Sequence, residues 1–166
     1  MSVVADIVTS WTRPRQVVRR HLAAGQREDR ALIFLMLGCG MVFLSTIPRV
    51  VRMNELGGGV EYGAQIGGAV LAWLFVTPLL LYVVAAVTRV IARLFGGRGT
   101  GFTARLSLFW ALLAASPLWL IWGLAVGYLG DDVAGVQVLG ALVFAVFLYI
   151  WSMGLIETES GAGQTE

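Results

Sequence analysis

Apolar residues run almost unbroken through four stretches of this chain, Ala31 to Ile47, about Ile66 to Thr88, Leu106 to Leu129 and about Val133 to Ile156, with polar residues gathered between them. Runs of this length predict helices that cross a membrane. The first is the shortest: its 17 residues at ~1.5 Å each reach about 25 Å, against a hydrocarbon core of ~30 Å. Arg30 and Arg49 at its ends can snorkel to close the difference, and Pro48 either ends this helix or kinks it toward Val50 and Val51. The second run can continue as a helix to Phe95 and is long enough to cross with tilt. Pro78 and Pro117, near the middles of the second and third runs, predict local kinks whose freed carbonyls a neighbour must satisfy. Met53 to Gly63, with Gly57-Gly58-Gly59, reads as a flexible polar loop, and Gly130-Asp131-Asp132 as a tight turn.

Ahead of the first run, Val3, Val4, Ile7, Val8 and Trp11 fall at helical spacing, with Asp6, Thr9 and Ser10 on the other side. Pro14 can open a second short helix, since its missing N–H is an orphan there anyway, and that helix carries Val17, Val18 and Leu22 among Arg15, Arg19 and Arg20. An apolar stripe flanked by arginines suits a helix lying in the membrane interface. The same apolar face can instead pack on the protein's own spans, and the two are not exclusive. No apolar core of signal-peptide length precedes a small-residue cleavage site, so this segment is expected to be retained. The pattern therefore predicts an all-α, polytopic bundle of about four spans. It has an interfacial segment over 1–30, a transmembrane domain over 31–156 and a disordered acidic tail over 157–166.

Composition agrees with this pattern: 58% of residues are hydrophobic, 13% are charged and mean hydropathy is +0.80. All twelve basic residues are arginine, and their placement sets the orientation. Arg13, Arg15, Arg19, Arg20, Arg27, Arg30, Arg89, Arg93, Arg98 and Arg105 flank one side of the spans, against Arg49 and Arg52 on the other. Both termini and the Arg89–Arg105 segment are thereby expected in the cytoplasm. The aromatic residues follow this in part. Trp119, Trp122 and Tyr128 approach the outer end of the third run, Trp110 and Trp151 approach inner ends, and Trp73 belongs to no clear belt. A net charge of +2, with arginines at span ends and in no stripe, points away from a nucleic-acid partner.

Candidate chemistry is sparse. None of the four runs carries Asp, Glu, Lys, Arg or His in its interior, where proton relays and ion paths usually mark themselves. The polar side chains there, Ser45, Thr46, Thr77, Ser107, Ser116 and Ser152, can return hydrogen bonds to their own helices. The lone Cys39 excludes an internal disulfide, and its apolar surroundings suit a small hydrophobe. The lone His21 lies among arginines that disfavour its charged form. Gly96-Gly97-Arg98-Gly99-Thr100-Gly101 has the look of a phosphate cradle, but a transmembrane helix precedes it where a strand is needed, and the chain has no lysine. Glu28-Asp29 and Asp131-Asp132 fall on opposite sides of the membrane and cannot act as a pair. No catalytic set, metal-ligand spacing or cofactor motif is expected. Gly123 and Gly127 form a GxxxG step suited to close helix packing.

Ala92 to Phe102, with Phe95-Gly96-Gly97-Arg98-Gly99-Thr100-Gly101-Phe102 at its heart, followed by a span with Ser116-Pro117, resembles the middle of the Yip-domain (Ypt/Rab-interacting-protein-like) membrane family. Trp11-Thr12-Arg13-Pro14-Arg15 is similar to that family's pre-membrane proline segment. Eukaryotic relatives usually have about five spans and engage small GTPases in vesicle traffic. Here four spans are evident, and the lysine-free chain with its short tail looks bacterial, so the resemblance implies a membrane location and not the trafficking role. The resulting expectation is a non-enzymatic bacterial inner-membrane protein that binds lipids, a membrane-protein partner or a second copy of itself. Trp11, Arg13, Arg15, Arg19, Arg20, Arg93, Arg98 and Arg105 are its candidate contacts. Two alternatives stand beside it: a small transporter or channel subunit with a site between Pro78 and Pro117, and an accessory subunit of a larger membrane complex.

Overall fold

The computed structural model describes residues 3–57 and 61–160 and holds six helices among them. The two short ones are α1 (Val3–Thr12) and α2 (Pro14–Ala23), joined at Arg13. Four long apolar helices follow: α3 (Glu28–Glu55), α4 (Tyr62–Leu94), α5 (Gly101–Leu129) and α6 (Ala134–Glu159). Each is long enough to cross a membrane. α3 and α4 overrun their apolar runs at both ends, α5 only at its start and α6 only at its end. α3 continues through Pro48, where the sequence left open whether the helix ends, and takes in Met53 to Glu55 of the expected loop. Of the glycine triplet only Gly57 is described; Gly58 and Gly59 lie outside the described residues.

The expected boundary at 157 falls inside a helix. Glu157, Thr158 and Glu159 belong to the last turn of α6, because both carboxylates have arginine partners there, Arg19 and Arg89. Residues 161–166 lie outside the described residues.

The first half of α5 is the axis of the bundle. From Phe102 to Ser116 every residue but Arg105 is buried, which requires neighbours on all sides of an all-round apolar helix. α3 runs parallel to it along its whole length, so Gly38 meets Leu112, Gly123 meets Ser45 and Gly127 meets Pro48. At Gly123 and Gly127 the backbones approach so closely that a methyl group would overlap Ser45 and Pro48. α6 returns antiparallel, with Gly154 against Ser107 and Gly140 against Trp122.

The two expected kinks are resolved locally. Pro117 cannot donate to the Leu113 carbonyl, and the Ser116 hydroxyl donates to it instead at 2.8 Å. Just before Pro78 the helix widens into a π turn over Ala72–Val76, and the Thr77 N–H and hydroxyl both donate to the Ala72 carbonyl, the latter at 2.8 Å.

Candidate functional site

The charged end of the bundle, where the described termini lie, is held by carboxylates that reach across the chain. Arg105 at the start of α5 pairs with Glu28 at the start of α3, and its guanidinium lies 5.9 Å from the centre of the Tyr82 ring. Arg19 on α2 pairs with the buried Glu157 at 3.0 Å, and Arg20 pairs with Asp6 of α1 at 3.0 Å. Glu159 accepts from Arg89 at 3.1 Å and from the Gly99 N–H at 2.9 Å. The Arg98 N–H donates to the Glu159 backbone carbonyl at 3.4 Å.

The glycine-rich loop therefore cradles an anion, and the anion is the chain's own carboxylate. A side chain at Gly99 would lie 2.5 Å from that carboxylate, so the residue type there follows from the contact. Thr100 and Thr103 then close a capping box that opens α5.

The α1–α2 hairpin packs in a way that reverses aqueous amphipathic logic. Asp6 and Ser10, the polar face of α1, turn inward: Asp6 meets Arg20, and Ser10 is fully buried and accepts from Trp110 Nε1 at 2.9 Å. Val4 and Val8 face outward, 70% and 56% exposed. Of the apolar face, for which lipid and the protein's own spans were both open, Ile7 meets the core. Trp11 is partly exposed, and its Nε1 donates to the Ala114 carbonyl at 2.9 Å, near the Pro117 kink. Trp110, expected near an inner belt, is instead wholly buried. In lipid the cheap arrangement is polar groups inward, paired with one another, and apolar groups outward.

His21 on α2 rests against Phe34 and Trp110, with ring centroids 5.2 and 4.4 Å away. Burial holds its pKa below the usual 6.5; Asp6 opposes this, while Arg30 and Arg20 add to it. The folded protein thus resists a proton that the unfolded chain accepts, and His21 costs stability as pH falls through about 6.5. A detergent unfolding series from pH 7.5 down to 5 should show a steeper loss in the native protein than in His21→Gln. Parallel slopes would show that His21 is not the sensor.

Among the candidate contacts, Arg19, Arg20, Arg98, Arg105 and Trp11 are thus tied into the bundle. Arg13, Arg15 and Arg93 are exposed, with no side-chain partner among the described residues. Asp6, Ser10, Glu157 and Glu159 complete the site: the first two were legible only as the polar face of α1, and the last two only as residues at the end of the fourth apolar run. Among the described residues no three His, Cys, Asp or Glu side chains gather as a metal site.

No curated protein and no solved structure matches the chain. The Yip1 domain family does: its pattern extends over residues 8–162, from within α1 past the end of α6. With the second half of α1, all of α2, the glycine-rich loop and all four long helices inside that match, the chain belongs to the Yip1 domain family.

Proposed function

We propose that this multi-span Yip1-domain protein is a non-enzymatic scaffold of a bacterial inner membrane that binds anionic lipid through its N-terminal hairpin, with both termini in the cytoplasm. The observation that carries the reading is the outward surface of the hairpin. Exposed Val4, Val8 and Trp11 on α1 stand beside exposed Arg13 and Arg15, whose guanidiniums have no partner among the described residues. Apolar area to enter the acyl region, next to cations for lipid phosphates, is the chemistry of an interfacial lipid contact. The orientation rests on ten arginines at the termini's end against two at the other.

Each arginine near an anionic surface contributes about 1 kcal/mol. The double variant Arg13→Gln/Arg15→Gln, reconstituted as full-length protein with spin-labelled phosphatidylglycerol and phosphatidylcholine, should lose most of its preference for the anionic lipid. An unchanged preference would remove the lipid reading. Failure of the full chain to bind either lipid selectively, alongside a protein partner recovered in mild detergent, would favour the scaffold half alone.

A further inference from the structure

A groove of about 370 Å³ runs between the start of α2 and the second half of α6, with Arg13, Arg15, Gln16 and Arg19 on one wall and Tyr149 and Met153 on the other. Its walls are fixed to each other. α2 packs on α6 with Val18 set against Gly154, and Arg19 is paired to the buried Glu157 at 3.0 Å.

The arginine wall is short of counter-charge. No carboxylate among the described residues lines the groove. Glu157, behind that wall, accepts only from Arg19 Nε, and with the Arg19 side chain 61% exposed its two terminal nitrogens remain for another acceptor. Arg13 and Arg15 have no side-chain partner among the described residues. Their place in the chain adds to the imbalance: Arg13 immediately precedes α2 and Arg15 lies in its first turn, where the helix dipole favours anions, and that turn has neither an acidic residue nor a side-chain cap. Three guanidiniums around one groove, two of them at a helix start, favour an anion between them, and their planar forks match the oxygens of a phosphate.

The opposite wall selects among phosphates. Tyr149 and Met153 carry no charge, and Tyr149 continues into Ala145, Leu142 and Val138, which share its face of α6 at helical spacing and are all exposed. From Tyr149 to Val138 this apolar stripe runs about 16 Å along the helix axis, away from the charged end of the bundle. A free phosphate uses none of that surface, whereas a lipid uses both walls at once.

We propose that the groove seats one anionic phospholipid, its phosphodiester held by Arg13, Arg15 and Arg19 and one acyl chain lying along Tyr149, Leu142 and Val138. The proposal rests on the lipid reading of the hairpin and deepens it: one defined site, shared with α6, stands in place of a diffuse attraction to the membrane surface.

Full-length protein in mild detergent, titrated with phosphatidylglycerol and followed by native mass spectrometry, should fill to one lipid per chain, bound at least tenfold more tightly than phosphatidylcholine. Glycerophosphoglycerol, the same head group without chains, should bind at least tenfold more weakly than the lipid. Equal affinity would reduce the site to a phosphate contact and overturn the proposal. Met153→Trp narrows the groove and Tyr149→Ala removes the bed of the chain. Neither touches an arginine, and each should weaken binding about tenfold. Tyr149 is 41% exposed, so its truncation decides the matter if Met153→Trp does not fold. The absence of a saturable lipid, or an unchanged affinity in the folded α6 variants, overturns the proposal. Spin-labelled lipids in vesicles then separate the two levels. A preference of the native protein for phosphatidylglycerol leaves the hairpin reading standing without the groove, and the absence of that preference removes both.

Discussion

Gly123→Ala should destabilise the protein by about 3 kcal/mol, the upper end of what overpacking a well-filled interior costs. The new methyl group would overlap the Ser45 carbonyl, and backbone cannot step aside as the end of a flexible side chain can. α3 and α5 share the longest contact in the bundle, so relief requires the two helices to part over the neighbouring Gly127–Pro48 approach as well. Gly68 provides the control, because it too is helical but has open space around the position of a side chain. Gly68→Ala should change stability by less than ~1 kcal/mol. Titrating both variants from mild detergent into SDS separates them. Equal unfolding midpoints would show that the helices do not meet at Gly123.

Glu159→Gln should cost about 2–3 kcal/mol, less than removal of a partner from a fully buried pair. Arg89 and Glu159 are 21% and 16% exposed as side chains, so water screens them only weakly. The amide keeps the size of the carboxylate but loses its charge: one oxygen in the place of Oε2 can still accept from both Arg89 and the Gly99 N–H, while an NH₂ group replaces the Oε1 that faces Arg89 at 3.4 Å. At the opposite end, Arg49 and Asp131 are 54% and 53% exposed, and Asp131→Asn should cost under ~1 kcal/mol. A cycle over Arg89→Gln, Glu159→Gln and the double variant isolates the coupling. A coupling energy no larger than that of the exposed pair would mean that Glu159 does not hold the loop.

The spans were readable because hydrocarbon selects for long apolar runs, and Ala31 to Ile47 or Leu106 to Leu129 announce themselves without any partner. Their ends were not readable, because what carries the helix past Pro48 to Glu55, or past Ile156 to Glu159, is contact with residues far along the chain. Glu157 meets an arginine 138 residues away and Glu159 one 70 residues away, and no local pattern encodes either pairing. The glycine-rich loop shows the same limit: its likeness to an anion cradle was set aside for want of a strand and a lysine, because the carboxylate it does hold, Glu159, comes close only in the fold.

For α1 the periodicity gave the helix and its two faces but left open whether the apolar face met lipid or the protein's own spans, because that depends on partners for the polar face. Around a bundle in lipid the apolar face can turn out, once Asp6 and Ser10 have partners in Arg20 and Trp110. Trp73 resisted classification in sequence because the π turn that positions it is set by the demands of Pro78 and Thr77, not by hydrophobic spacing.

The outward apolar face of the hairpin is most directly tested by a nitroxide at Val8 in the full-length protein with Cys39→Ser, reconstituted in phosphatidylglycerol-containing vesicles. Frequent collision with oxygen and little with a water-soluble nickel chelate is the predicted result. Free access of the chelate would contradict it, placing Val8 in water and the hairpin away from the membrane.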